Sequence, residues 1–345
     1  MHCVLVLAAA CKPPPAPPAE VQLSSDLPSA TVEQALRSTL AHGGPRGERI
    51  AGLSLGAAAL TRHDSPNADS DGGIAIGGAG GDVRWDLEPY GAIAAAARGE
   101  LLPAPDEAAE VPELWRDPAG GWVAIAGRAQ VLLVGVAALG ENSIPNRFTS
   151  LTEPWLLGKV AMVEPVRGAA LAHFAALYAA WGEARMRAWL EGLQHNRIQL
   201  FASDDEVRAA VVQGRATVGL LSSDSAAKAA ASAAKVEVVY PNQRSIGTFV
   251  WPTALSIPRN AAHPEAAQKL AAQLADRSIE QLLVAREPGF LPLRPNIATP
   301  PGVRSAANLV VISVSPARIL EEINKREPEL VAWVAATKGV SASPP

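Results

Sequence analysis

Short apolar runs alternate with helical patterns through the middle of the chain, and this alternation constrains the fold more than any other feature. Residues 131–136 (VLLVGV), 159–163 (KVAMV), 198–201, 217–221 and 236–240 have the length and the β-branched or apolar content of buried strands. Between them, residues 170–181 form a nearly all-apolar helical stretch, and residues 183–194 resume it after Gly182. Ser203 and Glu206 form a capping box, with Gly214 where the helix should stop. Pro264 opens a further helix that runs to about Asp276. Residues 309–314 read as a strand, and Pro316 starts a helix that Pro328 should break. Strands alternating with helices predict an α/β protein with mostly parallel sheets. The 345 residues suit two domains at about 150 residues each, and 48% hydrophobic content is enough for a sizeable core.

Only two cysteines are present, Cys3 and Cys11, both at the extreme N-terminus. The body therefore has no disulfide framework, no cysteine-ligated metal and no thiol nucleophile. Residues 4–10 read VLVLAAA, far short of the roughly 20 residues that span a bilayer. This run closes on Ala8, Ala9 and Ala10 and leads into Cys11, so it resembles the lipobox of bacterial lipoproteins, in which the cysteine becomes the lipidated first residue. Only His2 precedes the run where a basic segment is usual. Residues 12–19 (KPPPAPPA) form a polyproline spacer that would hold a domain off a membrane, and the folded body is expected from Glu20. The net charge of −4 excludes a global electrostatic footprint for nucleic acid.

Gly52, Ser54 and Gly56 match the G-x-S-x-G nucleophile elbow, and His42-Gly43-Gly44 resembles an oxyanion-hole segment. Such an elbow follows several strands, whereas only about thirty residues of body precede this one. A serine hydrolase using Ser54 is therefore the weaker alternative. No G-x-G-x-x-G or G-x-x-x-x-G-K-[ST] loop is present, and the six histidines are scattered without H-E-x-x-H. His173 lies on an apolar helix, where a structural role is expected.

Three polar clusters have a more informative setting. Asp82 to Glu88 follows a glycine-rich stretch at a strand end, Arg128 and Gln130 precede the strand at 131, and Ser222, Ser223, Asp224 and Ser225 follow the strand at 217. In open α/β sheets, ligands bind beyond the carboxyl ends of strands.

From residue 82 to residue 295 the chain resembles the bacterial extracellular solute-binding proteins of ABC importers, of the ferric-iron-binding type. The stretches that carry the resemblance occur in the family's order: GDVRWDLEPYGAIAAAARGELLPAP (81–105), GRAQVLLV (127–134), LLGKVAMVEPVRGAALAHFAALYAAWGEARMRAWLEGL (156–193), FASDDEVRAAVVQGRATVGLLSSDSA (201–226), VEVVYPNQRSIGTFVWP (236–252) and HPEAAQKLAAQLADRSIEQLL (263–283) with PLRP (292–295). The resemblance implies a two-lobed periplasmic-binding-protein type II fold. Each lobe is a mixed sheet flanked by helices, with a ligand cleft between them. Residues 20–121 plus 246–304 would form lobe one, and residues 122–245 plus 305–345 lobe two, after a signal and tether at 1–19. Ser24, Ser25, Glu88, Arg128, Ser222, Ser223, Asp224 and Ser225 would face the cleft. Partners would be the permease and ATPase subunits of an importer and a small ligand, with no nucleic acid and no resident cofactor. A periplasmic monomer, lipid-anchored through Cys11, is expected.

One departure bears on the ligand. Iron binders of this type place two adjacent tyrosines where this chain has Ser222-Ser223-Asp224-Ser225, and the three tyrosines here, Tyr90, Tyr178 and Tyr240, are not adjacent. Ferric iron wants anionic oxygen ligands. Glu88 and Asp224 are the remaining metal candidates, while hydroxyls around Arg128 suit a small anion such as a phosphonate, or a metal–anion complex. Gly135 and Gly168-Ala169 replace polar residues that the family carries near the cleft. The function this implies is capture of a small ligand by lobe closure, without catalysis. The alternative is a degenerate binding-fold lipoprotein that acts as a sensor or interaction module.

Overall fold

A computed structural model describes residues 21–42, 60–62, 81–232 and 234–341. Cys3, Cys11, the proline spacer, Gly43, Gly44, Ser54 and most of the glycine-rich stretch before Gly81 lie outside the described residues. The strands are β1 (Leu23–Ser25), β2 (Leu60–Arg62), β3 (Val83–Asp86), β4 (Trp122–Val123), β5 (Gly127–Gly135), β6 (Val160–Val163), β7 (Gln199–Phe201), β8 (Val218–Ser222), β9 (Val236–Val239), β10 (Val250–Pro252) and β11 (Ala254–Ser256). The helices are α1 (Ser29–His42), α2 (Tyr90–Ala97), α3 (Gly168–Trp181), α4 (Glu183–His195), α5 (Asp204–Val212), α6 (Ser223–Ala230), α7 (Pro264–Leu274), α8 (Arg277–Arg286) and α9 (Pro316–Ser341).

Two sheets result. The first has the order β2-β1-β3-β11-β4, and the second the order β10-β5-β8-β6-β7 with β9 added beside β5. The two lobes are built on these sheets. β1 pairs in parallel with β2 and β3, and β6 with β7 and β8, as the alternating pattern predicts. The remaining pairs, β5 with β8, β9 and β10 and β11 with β3 and β4, are antiparallel. The sheets are therefore mixed rather than mostly parallel. The cause is topological, since the chain leaves the first sheet along β4–β5 and returns along β10–β11, so the returning strands run opposite to their neighbours.

These two crossings lie side by side and share hydrogen bonds. Thr253, between β10 and β11, donates its backbone N–H to Ala126 O at 2.8 Å. Its hydroxyl oxygen accepts from the Trp85 indole at 3.4 Å and from Ala126 N at 3.5 Å. Trp85 is fully buried, so the crossing is tied into the first core. Sheet membership places Trp122–Val123 with the first sheet and Val250–Pro252 with the second. Both differ from lobe boundaries drawn at residues 122 and 246.

The helical patterns map closely. Ser203 caps α5 by accepting from Glu206 N at 3.3 Å, and Glu206 reaches back to Ala202 N at 2.9 Å. Gly214 follows with a left-handed φ of 72°. Two expectations fail. Residues 309–314 form no strand and contribute only a bridge from Val311 to Thr248. Helix α9 continues through Pro328, because Ile319, Ile323, Leu330, Trp333 and Val334 form a buried stripe that packs on α3. Burial of that face outweighs the roughly 3 kcal/mol that an interior proline costs. Helix α9 also contacts α2 and so touches both lobes.

One buried ion pair sets the segment that leads to the cleft wall. Glu280 on α8 accepts from Leu293 N at 2.5 Å and pairs with Arg294 at 2.7 Å, both side chains being essentially without solvent access. Arg294 also donates to Ala275 O at 2.6 Å. Removing one member leaves the other buried and uncompensated. Arg294→Met should lower the unfolding free energy by about 3–5 kcal/mol in urea titrations, and an unchanged midpoint would refute this role.

Candidate functional site

The strand ends converge on one group of charges. Asp26 follows β1, Glu88 follows β3, Asp204 follows β7 at the start of α5, and Asp224 lies in the first turn of α6 after β8. All four thus lie beyond carboxyl ends of parallel strands, where α/β sheets place their ligands. Arg128 enters from β5, one residue after the crossing, and stands opposite Trp251 in the β5–β10 register.

Arg128 is the centre of this group. Its guanidinium donates to Glu88 at 2.9 Å and lies 4.0 Å from Asp224, so it links a carboxylate after a first-sheet strand to one beside the second sheet. It stacks over Trp251 at 4.9 Å and lies 5.8 Å from the Phe290 ring. Its side chain is 12% exposed. Burial disfavours the charge, but Asp224, Glu88, Asp204 and Asp26 more than compensate and keep it cationic. The carboxyls carry the cost. Burial raises the pKa of Glu88 to about 7, with Arg128 pulling down and Asp26 pushing up. Burial likewise raises Asp86 to about 7, although Arg84 lies 3.5 Å away. Asp26 and Asp204 are also raised by burial. Glu88 Oε2, Asp224 Oδ1, Arg128 Nε and Trp251 Nε1 are buried without hydrogen-bond partners. The Trp251 indole is near enough to Glu88 to lower its pKa but falls short of hydrogen-bond geometry.

The sequence-derived residues divide into two sets. Glu88, Arg128 and Asp224 come together. The serines do not form a hydroxyl-lined site, because all but Ser24 are committed to hydrogen bonds within the protein. Ser25 donates to Trp85 O at 2.6 Å, and Ser223 donates to Gly289 O at 2.7 Å while accepting from Ala129 N at 3.0 Å. Ser222 is hydrogen-bonded to Asp204, and Ser225 accepts from Arg208 at 2.9 Å. Ser24 is buried beside Gly81 with its hydroxyl unpartnered, opposite Arg84 in the sheet rather than at the strand end. Between Glu88 and Asp224, the two metal candidates, stands the Arg128 guanidinium. Among the described residues no cluster of three His, Cys, Asp or Glu could hold a metal ion. Tyr90, Tyr178 and Tyr240 lie in different parts of the fold, and Tyr90 is buried at the start of α2 with a pKa raised by burial and by Glu88. His173 is buried in an aromatic stack with Phe148 and Phe249 at 4.5 and 5.5 Å, and burial lowers its pKa to about 3, so it is neutral.

Sequence reasoning missed Asp26, Asp86, Asp204, Trp251 and Phe290. Asp26 directly follows the two serines at the end of β1, and Asp204 follows the cap residue Ser203. Position after a strand was the available signal for both. Gly289 has no such signal. Its φ is +79°, and a Cβ there would meet Ser223 O at 2.2 Å, so only glycine lets the Phe290 wall close on α6.

A cavity of about 670 Å³ opens away from this group, at the amino-terminal end of β3, against Asp82, Arg84, Glu100, Arg259 and His263. There Asp82 is committed to structure. Hydrogen bonds from Gln22 and His263 outweigh its burial and hold its pKa below the usual carboxylate range.

The raised carboxyls fix a sign for the pH dependence of stability. Glu88 and Asp86 bind protons more tightly folded than unfolded, so their favourable contribution is complete below the unfolded pKa of about 4 and is lost as pH rises through about 7. The melting temperature of the unliganded protein should fall between about pH 5 and about pH 8, and Glu88→Gln should flatten that slope. An equal slope in the variant would remove Glu88 from the account.

Comparison with known proteins places this geometry. Residues 96–308 match the family of bacterial extracellular solute-binding proteins. Iron-bound HitA from Pseudomonas aeruginosa has a similar fold, with a TM-score of 0.71, 18% identity, and coverage of 91% of this chain and 99% of that one. The ferric binding protein from Campylobacter jejuni gives 0.68 at 15% identity, covering 92% and 99%. AfuA from Actinobacillus pleuropneumoniae, solved with fructose-6-phosphate, gives 0.68 at 18% identity, covering 92% and 98%. At such identities the likeness is one of fold, the two-lobed type II architecture expected from the sequence. The family match spans well over half of the chain, and the chain belongs to the bacterial extracellular solute-binding proteins.

Proposed function

We propose that this chain is the substrate-binding component of an ABC importer, which captures a small polar ligand between its lobes and delivers it to a membrane permease with its ATPase. The observation that carries this reading is Arg128. It is a buried guanidinium at the crossing between sheets, held by Glu88 after β3 and Asp224 on α6. A ligand bound there touches both lobes at once, so lobe closure and ligand contact become one event. Nothing in such a site calls for bond making or breaking.

Two ligand classes follow from the sequence. For ferric iron or a metal–anion complex, the adjacent tyrosines are missing and Arg128 occupies the space between the two candidate carboxylates. For a small anion such as a phosphonate, the free Arg128 Nε is the matching donor, but the anion must compete with carboxylates already paired to that guanidinium. Thermal-shift measurements across ferric citrate, phosphate, phosphonates and polyamines test the reading. A binder among them should raise the melting temperature by several degrees and lose that effect in Arg128→Ala. A flat response to all of them would favour a sensor or interaction module built on the same fold.

The chain is further proposed to be anchored through Cys11, whose apolar run and polyproline spacer support it. Among the described residues no helix is long and apolar enough to cross a membrane. Cys11→Ser should release the protein from the membrane fraction into the soluble one, and unchanged fractionation would sink the anchor.

A further inference from the structure

The charges at the cleft do not balance. Among the described residues, five carboxyls, Asp26, Asp86, Glu88, Asp204 and Asp224, form one interacting group with two guanidiniums, Arg84 and Arg128. Oxygens on both sides of Arg128 are left without donors, Glu88 Oε2 by the first sheet and Asp224 Oδ1 by the second. Trp251 is 1% exposed, and its indole N–H lies near Glu88 without making a hydrogen bond. The faces of Trp251 and Phe290 already accept one cation, the Arg128 guanidinium. Carboxylates on two sides are the surroundings that a further buried ammonium needs.

Resting on the reading of this cleft as the solute site, we infer that its ligand is a small organic amine, with the ammonium group donating to Glu88 Oε2 on one lobe and Asp224 Oδ1 on the other. The ammonium supplies the hydrogen bonds that those oxygens lack and offsets part of the carboxylate excess. An anion would gain Arg128 Nε but meet four further carboxyls around it. The amine stands beside Arg128, which remains bound to Glu88 Oε1, so Glu88 bridges the protein's own cation and the ligand's.

Direction with pH separates the two charges. The groups that face the site are Asp26, Asp86, Glu88 and Tyr90 from the first lobe, Arg84 and Arg128 from the strands, and Asp204 and Asp224 from the second lobe. Tyr90 stays neutral, and the guanidiniums stay charged. Glu88 and Asp86 change charge around pH 7. A cation therefore binds more tightly as pH rises, and an anion less tightly.

Isothermal titration calorimetry on the full chain tests this with 1,4-diaminobutane, ethanolamine and agmatine on one side, and methylphosphonate, phosphate and ferric citrate on the other. At least one amine should bind, with affinity about tenfold higher at about pH 8 than at about pH 6. Glu88→Gln and Asp224→Asn should each weaken it about tenfold or more. Both replacements preserve side-chain size, and because they lie on different lobes, either alone decides if the other fails to fold. Binding of a phosphonate or ferric citrate without any amine overturns the amine but leaves solute capture standing. Amine binding indifferent to both substitutions, or tightening as pH falls, also overturns it. If nothing in either set binds, the amine and the solute-capture reading fall together.

Discussion

Two lengths of extended chain pass between the sheets side by side, and the whole arrangement depends on their being tied there. A strand pair crossing between two domains would expose backbone donors and acceptors wherever the ladders change partners. Here Thr253 fills that gap, taking Ala126 with its backbone and Trp85 with its hydroxyl. The polar groups are satisfied, and a buried indole anchors the junction to the first core. The order of the sheets, the antiparallel returns and the position of Arg128 all follow from where these crossings lie.

The cleft shows what happens when strand ends of two sheets are aimed at one point. Each end supplies a polar residue to the turn or helix that follows, and in this chain those residues are mostly acids. Asp204 serves Ser222, Asp26 serves Leu87 N, and Glu88 serves Arg128. Taken one at a time these are two hydrogen bonds to backbone N–H groups and one ion pair. Together in one shielded place they lose their hydration, and burial, helped by some mutual repulsion, makes them reluctant acids, with Arg128 as the main counter-charge. The conflict is electrostatic in origin and local in extent, which is typical of a site built for something other than stability.

Much of the scaffold was legible because strand and helix patterns are local. Ser203 with Glu206, Gly182 and Gly214 all act where their residue types say they should. Pro328 was misread because tertiary burial of one helix face overrode a local rule. Residues 309–314 have strand composition but no free ladder to join, which no local pattern reveals. At the site, Glu88, Arg128 and Asp224 were visible as polar residues bordering strands. The internal hydrogen bonds of Ser25, Ser222, Ser223 and Ser225 were not legible, because a hydroxyl at a strand end serves the protein's own groups as readily as a ligand, and only the partner atoms distinguish the two. Trp251 and Phe290 carried no polar signal, and their relation to Arg128 exists only once β10 pairs with β5.

Arg128 lies a single residue beyond the point where the chain changes sheets. A group so close to a pivot has a short lever arm, so small adjustments of its neighbours correspond to large displacements at the rims of the lobes. In the proposed importer role such a site would work as a fulcrum rather than a grip, with the charge it meets setting the angle between the lobes and a membrane partner at the outer rims reading that angle.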